Sequence, residues 1–204
     1  AFGYSSSAGY KPLRRAIAHY LRLARGVRCE PEQVIITAGS QQAIHLVQRV
    51  LLNAGSSIGF EEPGYPDARH IFTTAGMKIL PMPLDEEGGS FSTLRKKPQM
   101  IYVTPSHQYP LGVTMSLNRR LALLDYAKSN GIWILEDDYD SEFRYNGLPI
   151  SSLQGIDQDG FSGPGLAAVP LIRRWRRGGI FRGLDMDPHL DTMGAQEQLE
   201  PLFA

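Results

Sequence analysis

The chain has 204 residues, 42% of them hydrophobic and 21% charged, enough apolar content for one sizeable core and no compositional case for disorder. Its 21 basic and 21 acidic side chains cancel, leaving no excess positive charge to hold nucleic acid or an anionic membrane. The single cysteine, Cys29, excludes an internal disulfide and fits a reducing, cytoplasmic setting, while the first ten residues have neither a basic start nor an apolar run and no stretch approaches the roughly 18 apolar residues of a membrane span.

The sequence starts on alanine rather than methionine, as an internal fragment would. Leu13, Ile17, Tyr20 and Leu21 fall at helical spacing and predict an amphipathic helix from Pro12 to Ala24, with Pro12 in its first turn and Gly26 as its stop. Val34-Ile35-Ile36-Thr37 reads as a short buried strand. Ala38-Gly39-Ser40 then turns into a second helix, through Ala43, Ile44, Val47 and Leu51, that ends at Gly55.

A helix over Pro66 to Thr74 and strands over Lys78 to Leu80 and Met100 to Thr104 follow. The next helix carries Leu117, Leu121, Leu124 and Ala127, stops at Gly131, and leads into the apolar run Ile132-Trp133-Ile134-Leu135. Strands alternating with helices predict an α/β domain on a largely parallel sheet. Beyond about Gly160 the period fails. Gly163-Pro164-Gly165 and the cluster Arg173-Arg174-Trp175-Arg176-Arg177 carry no strand or helix signal, and residues 161–204 are expected to form a disordered tail.

In open parallel sheets ligands collect beyond the carboxyl ends of the strands, so the segments after each apolar run are the ones to inspect. Thr37-Ala38-Gly39-Ser40-Gln41-Gln42 is a small-residue turn opening a helix, either an ordinary cap or a phosphate site built on free N–H groups and the helix dipole. Glu61-Glu62-Pro63-Gly64-Tyr65-Pro66 is a rigid turn whose aromatic either stacks on a planar ring or simply decorates the surface.

Glu136-Asp137-Asp138-Tyr139-Asp140 places four acids in five residues after a strand, where they repel unless a cation offsets them. A divalent metal site and a carboxylate facing a protonated pyridine nitrogen are the two readings. The phosphate-type turn favours the second, and the scattered histidines (His19, His45, His70, His107, His189) disfavour a metal. His107 alone sits on a further strand-end loop, Thr104-Pro105-Ser106-His107-Gln108-Tyr109-Pro110-Leu111-Gly112.

Those segments, with Ser7-Ala8-Gly9-Tyr10-Lys11-Pro12-Leu13-Arg14 and the run from Glu136 to Tyr145, resemble the MocR family in order over about residues 1–160. Its members are bacterial transcription regulators of the GntR type that join a winged-helix DNA-binding domain to a fold-type-I aminotransferase domain. The resemblance implies a three-layer α/β large domain with a largely parallel or mixed sheet, here incomplete, and pyridoxal 5'-phosphate (PLP) as cofactor. It implies that Gly39, Ser40 and Gln41 hold the PLP phosphate, Tyr65 stacks on the ring, Asp137 pairs with the pyridine nitrogen, and Tyr139 reaches the ring hydroxyl. The Tyr109-Pro110-Leu111-Gly112 loop stands where ordinary aminotransferases of this fold carry an asparagine that contacts that hydroxyl, so the resemblance implies His107, Gln108 or Tyr109 in its stead.

The departures are as informative. Family members carry a Ser-Lys motif whose lysine forms the Schiff base with PLP, and this chain has no lysine after Lys128, so no catalytic residue is assigned. Lys78, Lys96, Lys97 and Lys128 sit on segments expected to be exposed. Neither the winged helix nor the small domain of the family is present, and the end of the match near residue 160 suggests a frameshifted or truncated tail. Three functions follow: an effector-sensing PLP domain of a MocR-type regulator, a catalytic aminotransferase acting between an amino acid and a 2-oxo acid, or an inert remnant. The first implies an amino acid or amine effector, a homodimer, DNA contact only through the missing winged helix, and no membrane.

Overall fold

The computed structural model describes residues 6–139 and 151–157, and the backbone alone of 166–170, 175–176 and 179–180. Strands β1 (Ser57–Glu62), β2 (Lys78–Asp85), β3 (Gly88–Gly89), β4 (Met100–Val103), β5 (Trp133–Asp138) and β6 (Leu166–Pro170) form one sheet in the order β3-β2-β1-β4-β5-β6. Every pairing in it is parallel except the short β2–β3 hairpin. A two-residue antiparallel pair, β7 (Trp175–Arg176) with β8 (Gly179–Ile180), stands outside it.

Parallel strands need crossovers: after α1 (Lys11–Arg25), the helices α2 (Ser40–Leu51) and α3 (Pro66–Thr74) cover one face of the sheet and α4 (Leu117–Asn130) and α5 (Leu153–Ile156) the other. On one face Ile44 of α2 and Ala68 and Phe72 of α3 pack on Ile58, Phe60, Tyr102 and Leu135. On the other, Leu123, Leu124 and Ala127 of α4 and Leu153 of α5 pack on Met82, Ile101, Val103 and Ile134. The result is the three-layer α/β architecture with a mixed sheet, present in part. From β1 the chain runs outward to β2 and β3 and then returns to the opposite side of β1 to lay down β4 and β5. The carboxyl ends of β1 and β4 therefore flank a topological switch point, where outgoing loops diverge and leave a crevice.

Four sequence expectations change. Val34–Thr37 is not a strand: the Ile36 N–H donates to the Ala8 carbonyl and the Arg14 guanidinium to the Val34 carbonyl, so side-chain and loop partners replace a ladder. The central strand β1 was not foreseen, because Gly59 interrupts its apolar run and two acids end it. Gly59 leaves room for a close neighbour there, since a Cβ would stand 3.0 Å from Ile101 Cγ1.

The buried faces of α1 and α4 are also rotated from the apolar spacing. In α1 the buried residues are Arg14, Ala18, Leu21 and Arg25, and in α4 they are Arg120, Leu123, Leu124 and Ala127, leaving Leu117 and Leu121 exposed. Arg120 is 1% exposed because its guanidinium satisfies the carbonyls of Met115, Pro105 and Ser151, tying the helix to loops that have no ladder of their own. The backbone of β6 lies in the stretch where no period was read. The rest of 161–204, with its Arg173 to Arg177 cluster, lies largely outside the described residues.

Candidate functional site

Four chain segments meet at the carboxyl ends of the parallel strands. The first is the amino end of α2, where Gly39 is the cap residue, no side chain caps it, and the first helical bond runs from the Ala43 N–H to the Gly39 carbonyl. The N–H groups of Ser40, Gln41 and Gln42 thus precede the helical ladder, and a Cβ at Gly39 would meet nothing within 4 Å. Such an end is suited to an anion.

The second segment leaves β1 through Pro63 and Gly64 to Tyr65, the cap residue of α3. Gly64 is required, because a Cβ there would sit 2.3 Å from the Glu61 carbonyl oxygen. The Tyr65 hydroxyl donates to Asp67 Oδ2 at 3.0 Å, and the Gln41 amide donates to the same oxygen at 2.6 Å. One carboxylate therefore joins the start of α2 to the start of α3. With one amide hydrogen of Gln41 committed to Asp67, its backbone N–H at the helix start remains to offer an anion.

The third segment is the loop after β4. Tyr109 lies edge-on to Tyr65 with ring centroids 5.5 Å apart, and Tyr109 and His107 stand 6.4 and 6.0 Å from Tyr139. Gln108 is buried beneath, donating to the Pro63 and Tyr109 carbonyls, so this loop is bound to the one after β1.

The fourth is the end of β5, where the acids are not beyond the strand but inside it. Glu136, Asp137 and Asp138 are all buried, and each has its own compensation. Asp138 pairs with Arg25 at 2.7 Å. Glu136 accepts the Leu153 N–H at 3.0 Å, and burial with the neighbouring Asp138 charge pushes its carboxyl up to about 7. Asp137 accepts the Tyr102 hydroxyl at 2.6 Å. Tyr102 keeps its proton, since burial and then the Asp137 charge hold its phenol well above the usual range. Burial likewise raises Tyr65, with Asp67 and Asp137 adding to the effect.

Tyr102, Asp67 and Glu61 were not singled out from sequence, although a tyrosine within the buried strand Met100–Val103 signals a hydroxyl that must find a partner. Asp140 lies outside the described residues, and among these no cluster of acids, histidines or cysteine is arranged to hold a metal. No helix among them is long and apolar enough to cross a membrane.

Comparison with known proteins agrees with this geometry. Residues 1–159 match the family model of aminotransferase class I and II. The chain belongs to that family. It is 44% identical over 160 residues to the probable rhizopine catabolism regulatory protein MocR of Rhizobium meliloti, and 50% identical over 147 residues to the uncharacterized HTH-type transcriptional regulator YdeL of Bacillus subtilis. These stretches are 78% and 72% of this chain but 32% of either regulator, so the chain spans about a third of their length.

Its fold matches LysN, the alpha-aminoadipate aminotransferase of Thermus thermophilus complexed with N-(5'-phosphopyridoxyl)-L-leucine, with a TM-score of 0.73 at 33% identity over 82% of this chain and 43% of that one. The kynurenine aminotransferase of Pyrococcus horikoshii, solved with PMP, gives 0.72 at 32% over the same shares. The fold is thus that of fold-type-I aminotransferases, and family membership implies PLP as cofactor.

The residues present suit that group. A planar, phosphorylated pyridine needs a buried carboxylate for its ring nitrogen, aromatic walls and an uncapped helix start, and Asp137, the Tyr65–Tyr109–Tyr139 group and α2 supply these.

The buried carboxyls also set a pH dependence. The folded chain keeps protons on Glu61 and Glu136 up to about 7, whereas the unfolded chain releases them near 4.5. Stability present below pH 4.5 is therefore expected to fall as pH rises through about 7, by up to about 3 kcal/mol for each carboxyl. Urea midpoints between pH 4.5 and 8 check this. Glu136→Gln, which still accepts the Leu153 N–H, is expected to flatten the slope.

Proposed function

We propose that this chain is the PLP-binding, effector-sensing part of a MocR-type regulator, rather than a working transaminase. What supports this reading is the gathering of Asp137, Tyr65, Tyr109 and the uncapped start of α2 at one end of the sheet, in a chain with no lysine from residue 129 to 204. All five lysines, Lys11, Lys78, Lys96, Lys97 and Lys128, are exposed. The similarity to the two named regulators supports the regulatory side.

In this reading the N–H groups of Ser40 and Gln41, with Gly39 leaving room, hold the phosphate, and Tyr65 lies against the ring. Asp137 would accept a hydrogen bond from the protonated ring nitrogen, its carboxylate held by the Tyr102 hydroxyl. Tyr109, His107 and Tyr139 close the edge that carries the ring hydroxyl. When bound, the protonated ring is an electron sink beside an amino compound. What the chain itself contributes is binding, orientation and a shift in the population of conformations when an amine or amino acid enters. DNA contact would come from a winged-helix domain and the assembly would be a homodimer. Residues 1–160 constitute the partial PLP-binding domain of that protein.

The test is an absorbance titration with PLP, before and after borohydride reduction, followed by mass spectrometry. Reversible binding without a single reduced adduct is the expected result. A stoichiometric adduct at one lysine would overturn it and make that residue the active site. Tyr65→Ala is expected to weaken PLP binding about 10-fold, in line with the ~1–3 kcal/mol that stacking an aromatic on a heterocyclic base contributes. A dissociation constant within twofold of the parent would remove Tyr65 from the site.

A further inference from the structure

We propose that Glu61 is a positioning residue for the cofactor site: it holds Tyr109 in place through Thr104, and its proton is coupled to what binds beside Asp137. The proposal rests on the cofactor reading above.

Glu61 is the penultimate residue of β1 and is 1% exposed. It alternates with Phe60, which stacks on Tyr102 on the α2–α3 face, so the Glu61 side chain leaves the sheet on the α4 face, away from the Tyr102–Asp137 pair. Direct contact with a ring held by Asp137 is thereby excluded, and Glu61 acts through its partners. Its Oε2 accepts the Thr104 N–H at 3.1 Å and the Thr104 hydroxyl at 2.7 Å, and that hydroxyl oxygen accepts the Tyr109 N–H at 3.1 Å. The relay runs from β1 across the end of β4 to the residue whose ring faces Tyr65.

The second carboxyl oxygen is received by Gly89 of β3, where a Cβ would lie 3.3 Å from it, and the Gln108 side chain also stands against the carboxyl. An amide would fix Thr104 equally well without placing an acid in the interior. The surrounding groups explain what the acid adds. From β2 comes Met82 and from β3 Gly89, neither charged; β4 brings Thr104 and, through the sheet, Tyr102. From β5 come Glu136, one strand beyond Val103 on the same face, and Asp137, while Glu62 is held at the surface by Arg69 at 2.6 Å.

Burial, with a smaller addition from the Asp137 charge, raises the Glu61 carboxyl to about 7 despite the Thr104 and Gln108 bonds that favour its ionised form. A cation placed on Asp137 removes that repulsion. A ligand with a protonated ring nitrogen therefore favours ionised Glu61, and by reciprocity ionised Glu61 favours the ligand. Through this residue, binding is expected to tighten as pH rises through about 7.

Pyridoxamine 5'-phosphate is the probe, because it needs no lysine. Its dissociation constant would be measured by fluorescence on the full 204-residue chain at pH 6 and pH 8 for the parent, Glu61→Gln and Glu61→Ala, each checked by circular dichroism melting. Glu61→Ala is expected to bind at least about 10-fold more weakly at both pH values. Glu61→Gln should match the parent within about threefold at pH 6 and fall a further three- to fivefold behind it at pH 8. If Glu61→Ala does not fold, the Glu61→Gln ratio at the two pH values decides alone. Parent-like binding by folded Glu61→Ala, or a Glu61→Gln to parent ratio independent of pH, would overturn this inference and leave the cofactor reading intact. A parent chain that does not bind the probe would overturn both.

Discussion

Asp137→Asn is expected to weaken binding of PLP by about 10- to 100-fold while leaving the fold in place. The size follows from what the substitution removes. An ionised acceptor facing a protonated ring nitrogen forms a charge-assisted bond of about 1.5–3 kcal/mol, and an amide offers only a neutral one. Asparagine retains the shape and can still accept the Tyr102 hydroxyl, which now donates to Asp137 Oδ2 at 2.6 Å. A buried donor is therefore not orphaned, and the melting temperature should move little. The loss should also shrink for a ligand that cannot carry a proton on its ring nitrogen. Titrating PLP and a phosphorylated benzene analogue into parent and variant separates the two cases. If the variant loses both ligands equally, Asp137 is holding structure rather than charge. If it loses neither, the ring nitrogen does not face this residue.

The segments that meet at the carboxyl edge of the sheet were legible in the sequence as unusual loops. Gly39-Ser40, Gly64-Tyr65, His107 to Gly112 and Asp137 stand out because loops after parallel strands collect turn residues, aromatics and acids that a core would not choose. What sequence could not show is which of them meet. That Asp67 ties Gln41 to Tyr65, and that Tyr102 and Asp137, 35 positions apart, share a proton bond, are properties of register and not of spacing.

The buried faces of α1 and α4 were misjudged for a related reason. Apolar periodicity assumes that the inward face is apolar, yet Arg14, Arg25 and Arg120 point inward to satisfy carbonyls and an acid at loop ends. Val34–Thr37 shows the same limit from the other side: four β-branched residues suit a strand, but a strand also needs a neighbour, and Ala8 and Arg14 are what this segment finds.

The inward arginines lead to the second large effect, on stability. Arg25→Met is expected to destabilise the chain by about 3–5 kcal/mol, because it leaves the Asp138 carboxylate buried without its cation. Arg25 ends α1, is 4% exposed, and donates to Asp138 Oδ2 at 2.7 Å and to the Ser106 hydroxyl at 2.8 Å. Its carbonyl accepts the Ser152 N–H at 3.0 Å, so the carboxyl end of α1 is bolted to the ends of β4 and β5 and to the start of α5. A methionine keeps much of the volume, which limits the loss from packing and leaves the uncompensated acid as the main term. A further result distinguishes that account from simple cavity formation. Arg25→Met combined with Asp138→Leu should recover most of the stability, as replacing both partners of a buried pair by apolar groups commonly does. Urea midpoints of the two variants and the parent measure this. A single-variant loss below about 1 kcal/mol, or a double variant no more stable than the single one, would mean that the pair contributes little and that α1 is held by its apolar contacts instead.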